Sequence, residues 1–344
     1  MPSLDIFNDD AFSLTGLTSA MEVAPYKPRL LGSLGLFTDK PIRTTTAFIE
    51  KRNGRLHLIS TAARGTMKDV RSSDKRKLIP VNVPHIPYFE TVLSGDVQNV
   101  RAFGSETELQ AVASVVNDQL VKMREDHEVT EEFHRVGALK GSVLDADGTT
   151  ELTNMFDLFG LTQQTENFAS SATSFATICT AIIRKVANAL GNETTSGIVA
   201  ICGDDYFDGI ISHSSMQAAY DRWRDGEWKR MSMLGPQWYG PAANGFGFQN
   251  ILFINYRGQI DDVSFVAADE AYYVPMGVPD MFQTVIAPAD FMETVNTLGK
   301  KFYARQEPLP FNKGIQLHTQ SNILTLCTRP DAVVKSTYSS SSSA

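Results

Sequence analysis

A long run from Ser105 to Gly137 carries helical periodicity with neither glycine nor proline inside it, and the rest of the chain has to be arranged around it. Ser105 followed by Glu108 forms a capping box, and Glu106 and Glu108 set negative charge against the positive end of the helix dipole. Leu109, Ala113, Val116, Leu120, Met123, His127, Thr130 and His134 recur at alternating steps of three and four, while Asp118, Lys122, Glu125, Glu128 and Glu132 fall elsewhere. This pattern predicts one buried stripe, with Leu109, Val116, Leu120 and Met123 as its structural residues, and a wet remainder. At about 1.5 Å per residue the helix spans roughly 45 Å. The histidines in the seam, and a second apolar line through Val129, Phe133 and Val136, argue against a coiled coil. The expected element is a spine that crosses a domain and packs on sheet.

The chain of 344 residues is long enough for two domains, and 42% hydrophobic residues suffice for proper cores. A net charge of -8 argues against a protein whose main task is gripping nucleic acid, because that affinity comes from neutralised phosphates. The three cysteines, Cys179, Cys202 and Cys327, are odd in number and widely spaced, so neither a disulfide framework nor a zinc site is indicated. Met1 to Phe12 has acidic residues and no apolar core of signal-peptide length, and no later run approaches about 18 uninterrupted apolar residues. Secretion by that route and membrane spanning are not expected.

In chain order, Met1 to Pro41 is short and broken in pattern, with a helical turn or two around Asp10 to Met21, and reads as an arm lying on something else. Thr44 to Glu50, Asn53-Gly54 and Leu56 to Ser60 give a strong hairpin signal. A polar loop rich in Arg64, Lys68, Arg71, Lys75, Arg76 and Lys77 follows before Leu78 to Val83 resumes a strand. Thr44 to Pro84 is thus an extended basic hairpin that needs a neighbour to pack on. Beyond the spine, Val143 to Thr153 predicts a hairpin turning at Asp145 to Gly148, Ser170 to Leu190 an amphipathic helix closed by Gly191, and Ile198 to Cys202 an apolar strand. Helices follow to about Trp223, then strands at Ile251 to Tyr256, Val263 to Val266, Tyr272 to Val274 and Gly314 to Leu326. Ser339 to Ser343 reads as a disordered tail.

The fragments that invite an enzymatic reading are each incomplete. His127-Glu128 begins like a helical zinc motif, but Glu131 stands where the second histidine belongs. Glu131 and His134 have the spacing used in di-iron bundles, which need two such pairs. Asp145-x-Asp147-Gly148 starts like a calcium loop, but Thr149 and Thr150 break the ligand pattern, and a tight turn accounts for it. Gly203-Asp204-Asp205 fits a helix N-terminus. P-loop, GxGxxG and GxSxG motifs are lacking. No catalytic, cofactor-binding or metal-binding residue is therefore assigned, and no cofactor is expected.

Several short stretches, in their order, carry a specific resemblance. They are the arm with Asp5-Ile6-Phe7 and Ala11-Phe12-Ser13-Leu14-Thr15, the basic hairpin, Val83-Pro84-His85-Ile86-Pro87, Val100-Arg101-Ala102-Phe103-Gly104 before the long helix, and Gly141 to Gly148. Cys202-Gly203-Asp204-Asp205-Tyr206-Phe207-Asp208, Val274 to Val278, Ala287 to Asn296 and Thr328-Arg329-Pro330 continue the series. The chain resembles, over nearly its whole length, the major capsid protein E family of lambda-like tailed phages.

The resemblance implies an α+β chain with the Hong Kong 97 fold: an N-terminal arm (1–43), an extended loop (44–84), a peripheral domain (85–155) holding the spine, an axial domain (156–310), a return to the peripheral domain (311–338) and the serine tail (339–344). It implies a structural protein rather than an enzyme. Copies would self-assemble in the host cytoplasm into hexamers and pentamers of an icosahedral virion capsid. Scaffold, portal and decoration proteins are the expected partners, with packaged double-stranded DNA touched weakly and no membrane involved. Phe48, Leu56, Leu58, Arg64, Lys68, Arg71, Lys75, Arg76 and Lys77 are the expected assembly contacts. Two rivals stay open: an encapsulin-like compartment, told apart by protein cargo in place of DNA, and a metal-dependent hydrolase using Asp204, Asp205 or His127, told apart by metal analysis.

Overall fold

The computed structural model describes residues 13–23, 30–51, 77–97, 108–169, 174–191, 193–225, 245–260 and 263–339. Its spine helix runs from Glu108 to Lys140, 33 residues. Ser105 lies outside the described residues. The helix does not stop at Gly137 as the sequence suggests. A Cβ at Gly137 would sit 2.9 Å from both the Ser142 carbonyl oxygen and the Val143 Cα, so this glycine lets the strand Ser142–Leu144 fold back tightly on the helix. The terminator is Gly141, at φ 89°, in the region that only glycine enters cheaply.

The first half of the spine carries the expected stripe. Val116, Leu120 and Met123 are buried and pack with Leu17 and Met21 of the helix Leu14–Val23 and with Phe302, Ala304, Ile315 and Leu317. The latter residues belong to, or immediately precede, an antiparallel three-stranded sheet in the order Tyr303–Pro308, Gly314–Ser321, Ile86–Leu93. The strand Gly314–Ser321 alternates between buried and half-buried positions up to His318, as a sheet with one face on a core should.

The far half of the spine is a different environment. Val136, Ala138 and Leu139 enter the larger core, which is built on a seven-stranded mixed sheet. Its order is Gly245–Phe248, Ile251–Asn255, Gly197–Cys202, Glu270–Met276, Val334–Ser339 and Gln164–Thr165, with Phe168–Ala169 also paired to Val334–Ser339. Ile198 to Cys202 are all buried, which is why this strand reads as an unbroken apolar run. The helix Phe175–Leu190 sends Phe175, Cys179, Ile182, Val186 and Leu190 into the same core and ends at Gly191, φ 65°. A second three-stranded sheet, Thr38–Pro41, Phe282–Ile286 and Ile323–Cys327, lies alongside; there the Thr325 hydroxyl donates to the His134 carbonyl at 2.9 Å.

The chain changes sheets more often than a linear division of its length implies. Tyr303–Pro308 shares a sheet with Ile86–Leu93, and Val334–Ser339 sits inside the seven-stranded sheet. What reads as one β segment, Gly314 to Leu326, is two strands in different sheets that part at Asn322. The base of the expected hairpin is present: Thr46–Lys51 lies antiparallel to Lys77–Asn82, while Asn53-Gly54 and Leu56 to Ser60 fall outside the described residues. Its foot is anchored in the chain's own core through Ala47, Ile49 and Val81.

Candidate interaction surfaces

The side chains that invited catalytic readings are occupied in structural roles. His127 is buried on the spine and its Nε2 lies 3.0 Å from the Thr319 hydroxyl; burial pushes its imidazole down to about 4. Glu131 meets Arg135 at 2.5 Å and Lys301 at 3.2 Å. The Asp147 carboxylate accepts the N–H groups of Thr149 and Thr150 at 2.9 and 2.8 Å, and the Thr150 hydroxyl at 2.6 Å, which holds it well below the usual carboxylate range. A turn that saturates its own carboxylate is an Asx-type turn, not a cation loop. Asp204 opens the helix Asp204–Ser212 and accepts from Asn255 and Arg257 at 2.8 and 2.9 Å, which lowers its pKa. All three cysteines are buried, and burial pushes Cys179 and Cys327 up to about 12, the opposite of an activated thiol. Among the described residues no group of histidine, cysteine and carboxylate side chains is arranged to hold a metal ion. An open recess lined by Asp208, Ile211, Ser212, Gln217, Tyr220 and Asp221 offers carboxylates and a phenol but no histidine or cysteine.

What the spine carries in place of chemistry is a buried charge network, and here the expected wet face is corrected. Glu128 and Glu132 are buried, along with Arg124 and Arg135. Arg124 pairs with Glu128 at 2.7 Å and donates to the Met21 carbonyl. Glu132 accepts the N–H groups of Leu31 and Gly32 at 2.7 and 3.3 Å. Burial pushes its carboxyl up, against the pull of those N–H groups and of Arg135. Burial alone would depress the Lys301 ammonium; Glu131 and Asp39 outweigh it and hold the proton above the ordinary lysine range. Such charges are tolerated inside because each is paired and hydrogen-bonded. The network ties the N-terminal segment, the strand Thr38–Pro41 and the residue before Phe302 to one helix. Spacing alone exposes part of it, since Arg124–Glu128 and Glu131–Arg135 are i, i+4 pairs.

Several large apolar side chains among the described residues are exposed on the outer surface. Phe48, on the hairpin, is 63% exposed, while its neighbours Ala47 and Ile49 are buried. Phe311 is 91% exposed and Met292 88%, with Val295 and Leu298 about half exposed. Near Met292, Phe291 lies edge-on to His318, which stacks on Phe89 at 4.2 Å, and Arg305 lies over the Phe291 ring. Sequence reasoning singled out Phe48 and missed Phe311 and Met292. Of the other expected contacts, Leu56, Leu58, Arg64, Lys68, Arg71, Lys75 and Arg76 lie outside the described residues, and Lys77 stands opposite Lys51 in the hairpin register. Leu109 is helical, one residue into the spine.

Comparison with known proteins gives this surface a context. The family model described as phage major capsid protein E matches residues 13–338. The major capsid protein of Pseudomonas phage KPP10 is 28% identical, covering 94% of this chain and 96% of that protein. The major capsid protein of Salmonella phage Felix O1 is 25% identical, covering 94% of this chain and 95% of that one. Among solved structures, one assigned to a capsid protein of an E. coli CFT073 prophage superposes with a TM-score of 0.52 at 11% identity, covering 95% of this chain and 99% of the other. The capsid of an empty GTA particle superposes at 0.50 with 10% identity, covering 92% of each chain.

Proposed function

The chain belongs to the phage major capsid protein E family, and from that premise we propose how its copies close a container. It is a structural component of the virion capsid of a tailed phage, with a Hong Kong 97-like fold, and not an enzyme. In the proposed arrangement copies join head to tail into hexamers and pentamers, and these close into an icosahedral head around double-stranded DNA. A closed shell demands heterologous contacts that form rings and further contacts between rings. The observation that carries this reading is the extent of the family match, from residue 13 to residue 338, which takes in the arm, the hairpin, the spine and both cores.

The arm is taken as residues 1–43, the extended loop as 44–84 and the peripheral unit as 85–155. Because Tyr303–Pro308 is in the sheet of Ile86–Leu93, we count it with the peripheral unit; the axial unit is then 156–302 together with the strand Val334–Ser339. Scaffold, portal and decoration proteins are the proposed partners. With 39 acidic and 31 basic residues, the lining is expected to hold DNA loosely, since tight binding needs many neutralised phosphates.

Electron microscopy of particles made by the full chain tests the reading. Closed shells with rings of six and five are expected; a chain that stays monomeric at high concentration would overturn it. Particles loaded with protein cargo and free of nucleic acid would favour the compartment alternative. A variant with Arg71, Lys75, Arg76 and Lys77 all changed to Glu is expected to remain folded, because in a run this polar each charge is expected to contribute only about 0 to 1 kcal/mol, yet to lose assembly through like-charge contacts. Normal shells from that variant would remove the basic segment from the assembly contacts.

A further inference from the structure

Phe311 combines two features that folding alone does not reward. Its backbone sits at φ 63°, ψ 21°, a left-handed conformation that is an outlier for a bulky residue, and its side chain is 91% exposed. The turn that presents it is clamped. Leu309 N–H donates to the Gly314 carbonyl at 2.9 Å, and Ser94 N–H donates to the Lys313 carbonyl at 3.1 Å. Pro308 and Pro310 restrict the approach to the tip. A Cβ at Gly314 would lie 2.2 Å from the Val92 carbonyl oxygen, so the strand end is pressed against its neighbour. The result is a rigid aromatic tip, pre-organised in the way an interface anchor is.

The same chain carries a matching receiver. The loop 290–300 exposes Met292, Val295 and Leu298, with Asp290 exposed beside them. This loop is fastened to the other end of the sheet: Asp290 N–H donates to Gln320 Oε1 at 3.1 Å, and Lys300 N–H donates to the Tyr303 hydroxyl at 2.9 Å. Tyr303 pairs with Gln320, whereas the tip follows the pairing of Pro308 with Ile315. At about 3.3 Å per residue the two ends are roughly 17 Å apart along the strand. Tip and loop are therefore too far apart to meet within one copy.

We propose that Phe311 of one copy seats on Met292, Val295 and Leu298 of a second copy, a head-to-tail contact between shell subunits. The chemistry is complementary. A methionine thioether adapts to an aromatic ring, and the exposed Lys313, whose Nζ lies 5.9 Å from the Phe311 ring centre, is opposite in charge to Asp290, which is exposed beside the receiver. Every copy carries both halves, so the contact is heterologous and can propagate into rings.

The inference rests on the self-assembly reading, and the experiment separates the two. Full-length chain bearing Lys313→Cys and Val295→Cys keeps the anchor intact and is assembled, mildly oxidised and run on a non-reducing gel. A ladder of covalent multimers is expected from the double variant and from neither single one, since the three native cysteines are buried. Particles that assemble but give no ladder would overturn the contact, leave the shell reading standing and free the tip for another virion protein. Phe311→Asp should keep the circular dichroism of the parent while the fraction of subunits in particles drops about tenfold, the scale of a lost anchor. Unchanged assembly by Phe311→Asp would equally overturn it.

Discussion

Glu132, deep in the spine helix, accepts the backbone N–H of Leu31 at 2.7 Å although the two residues are 101 positions apart in the chain. The carboxylate is 1% exposed. It also receives the Gly32 N–H, and the Tyr256 hydroxyl donates to it at 3.4 Å. An arm with little core of its own is thereby fixed to the central helix by polar bonds as much as by the burial of Leu30 and Leu31.

Glu132→Ala should be costly, because it leaves the backbone N–H groups of Leu31 and Gly32 without their buried acceptor, while Arg135 keeps Glu131. A buried donor left without its acceptor costs about 1 to 3 kcal/mol. Glu132→Gln keeps an acceptor for the Leu31 N–H and should cost distinctly less. Urea midpoints of the two variants check this; equal midpoints for Ala, Gln and parent would mean that the tie does not hold the arm.

Gly137→Ala separates helix propensity from packing by sign. In a free helix the change stabilises by about 1 kcal/mol. Here the new methyl would meet backbone atoms of Ser142 and Val143 at 2.9 Å, which have no flexible end to move aside. Net destabilisation of about 1 to 3 kcal/mol is expected, as for other overpacked sites, and a raised melting temperature would contradict the close approach.

The spine's existence and its buried stripe were legible because helical period is a local property of the sequence. Its end was not, since a glycine that terminates a helix and a glycine that admits a neighbouring strand look alike until Val143 is placed. Glu128 and Glu132 were misread as wet because helical spacing reports one helix, whereas their burial is imposed by Met21 and Leu31 from far earlier in the chain. The hairpin was legible as an element spanning Thr44 to Pro84, but its register, Thr46 opposite Asn82, is set between residues far apart in the chain and was not. On the surface, Phe48 stood out against a basic hairpin, while Phe311 sits among prolines in an ordinary-looking turn.

Acid should weaken the fold through the spine. Burial pushes the imidazoles of His127 and His134 down to about 4, against about 6.5 in an unfolded chain. Between these values the unfolded chain binds protons that the folded chain refuses, so the stability is fully present above about pH 6.5 and is lost as pH falls towards 4. Each histidine adds a slope of up to about 1.4 kcal/mol per pH unit. His127 faces the Thr319 hydroxyl and the rings of Tyr88 and Phe302, none of which compensates a charge fully, and Asp145 only partly offsets burial at His134. Urea midpoints followed from neutral pH into this window should fall, and His127→Gln with His134→Gln should flatten the fall; identical slopes in parent and variant would assign the acid sensitivity elsewhere.

Adjacent residues of one strand give the sharpest contrast between folding and assembly. Ile49 is buried against the chain's own core, whereas Phe48 on the opposite face is 63% exposed, as alternation along a strand requires. Ile49→Glu puts a charge into that core and should destabilise the isolated subunit by several kcal/mol. Phe48→Glu removes only exposed surface from the subunit, so its urea midpoint should stay within about 0.5 kcal/mol of the parent. Its effect should appear when copies meet, because an aromatic side chain brings 150 to 250 Å² of surface to a contact and a carboxylate there is left without a partner. The expected Phe48→Glu protein is soluble and folded but sediments as free subunits. Closed particles from Phe48→Glu, formed as readily as by the parent, would take this residue out of the assembly contacts and leave the hairpin's outer face to solvent.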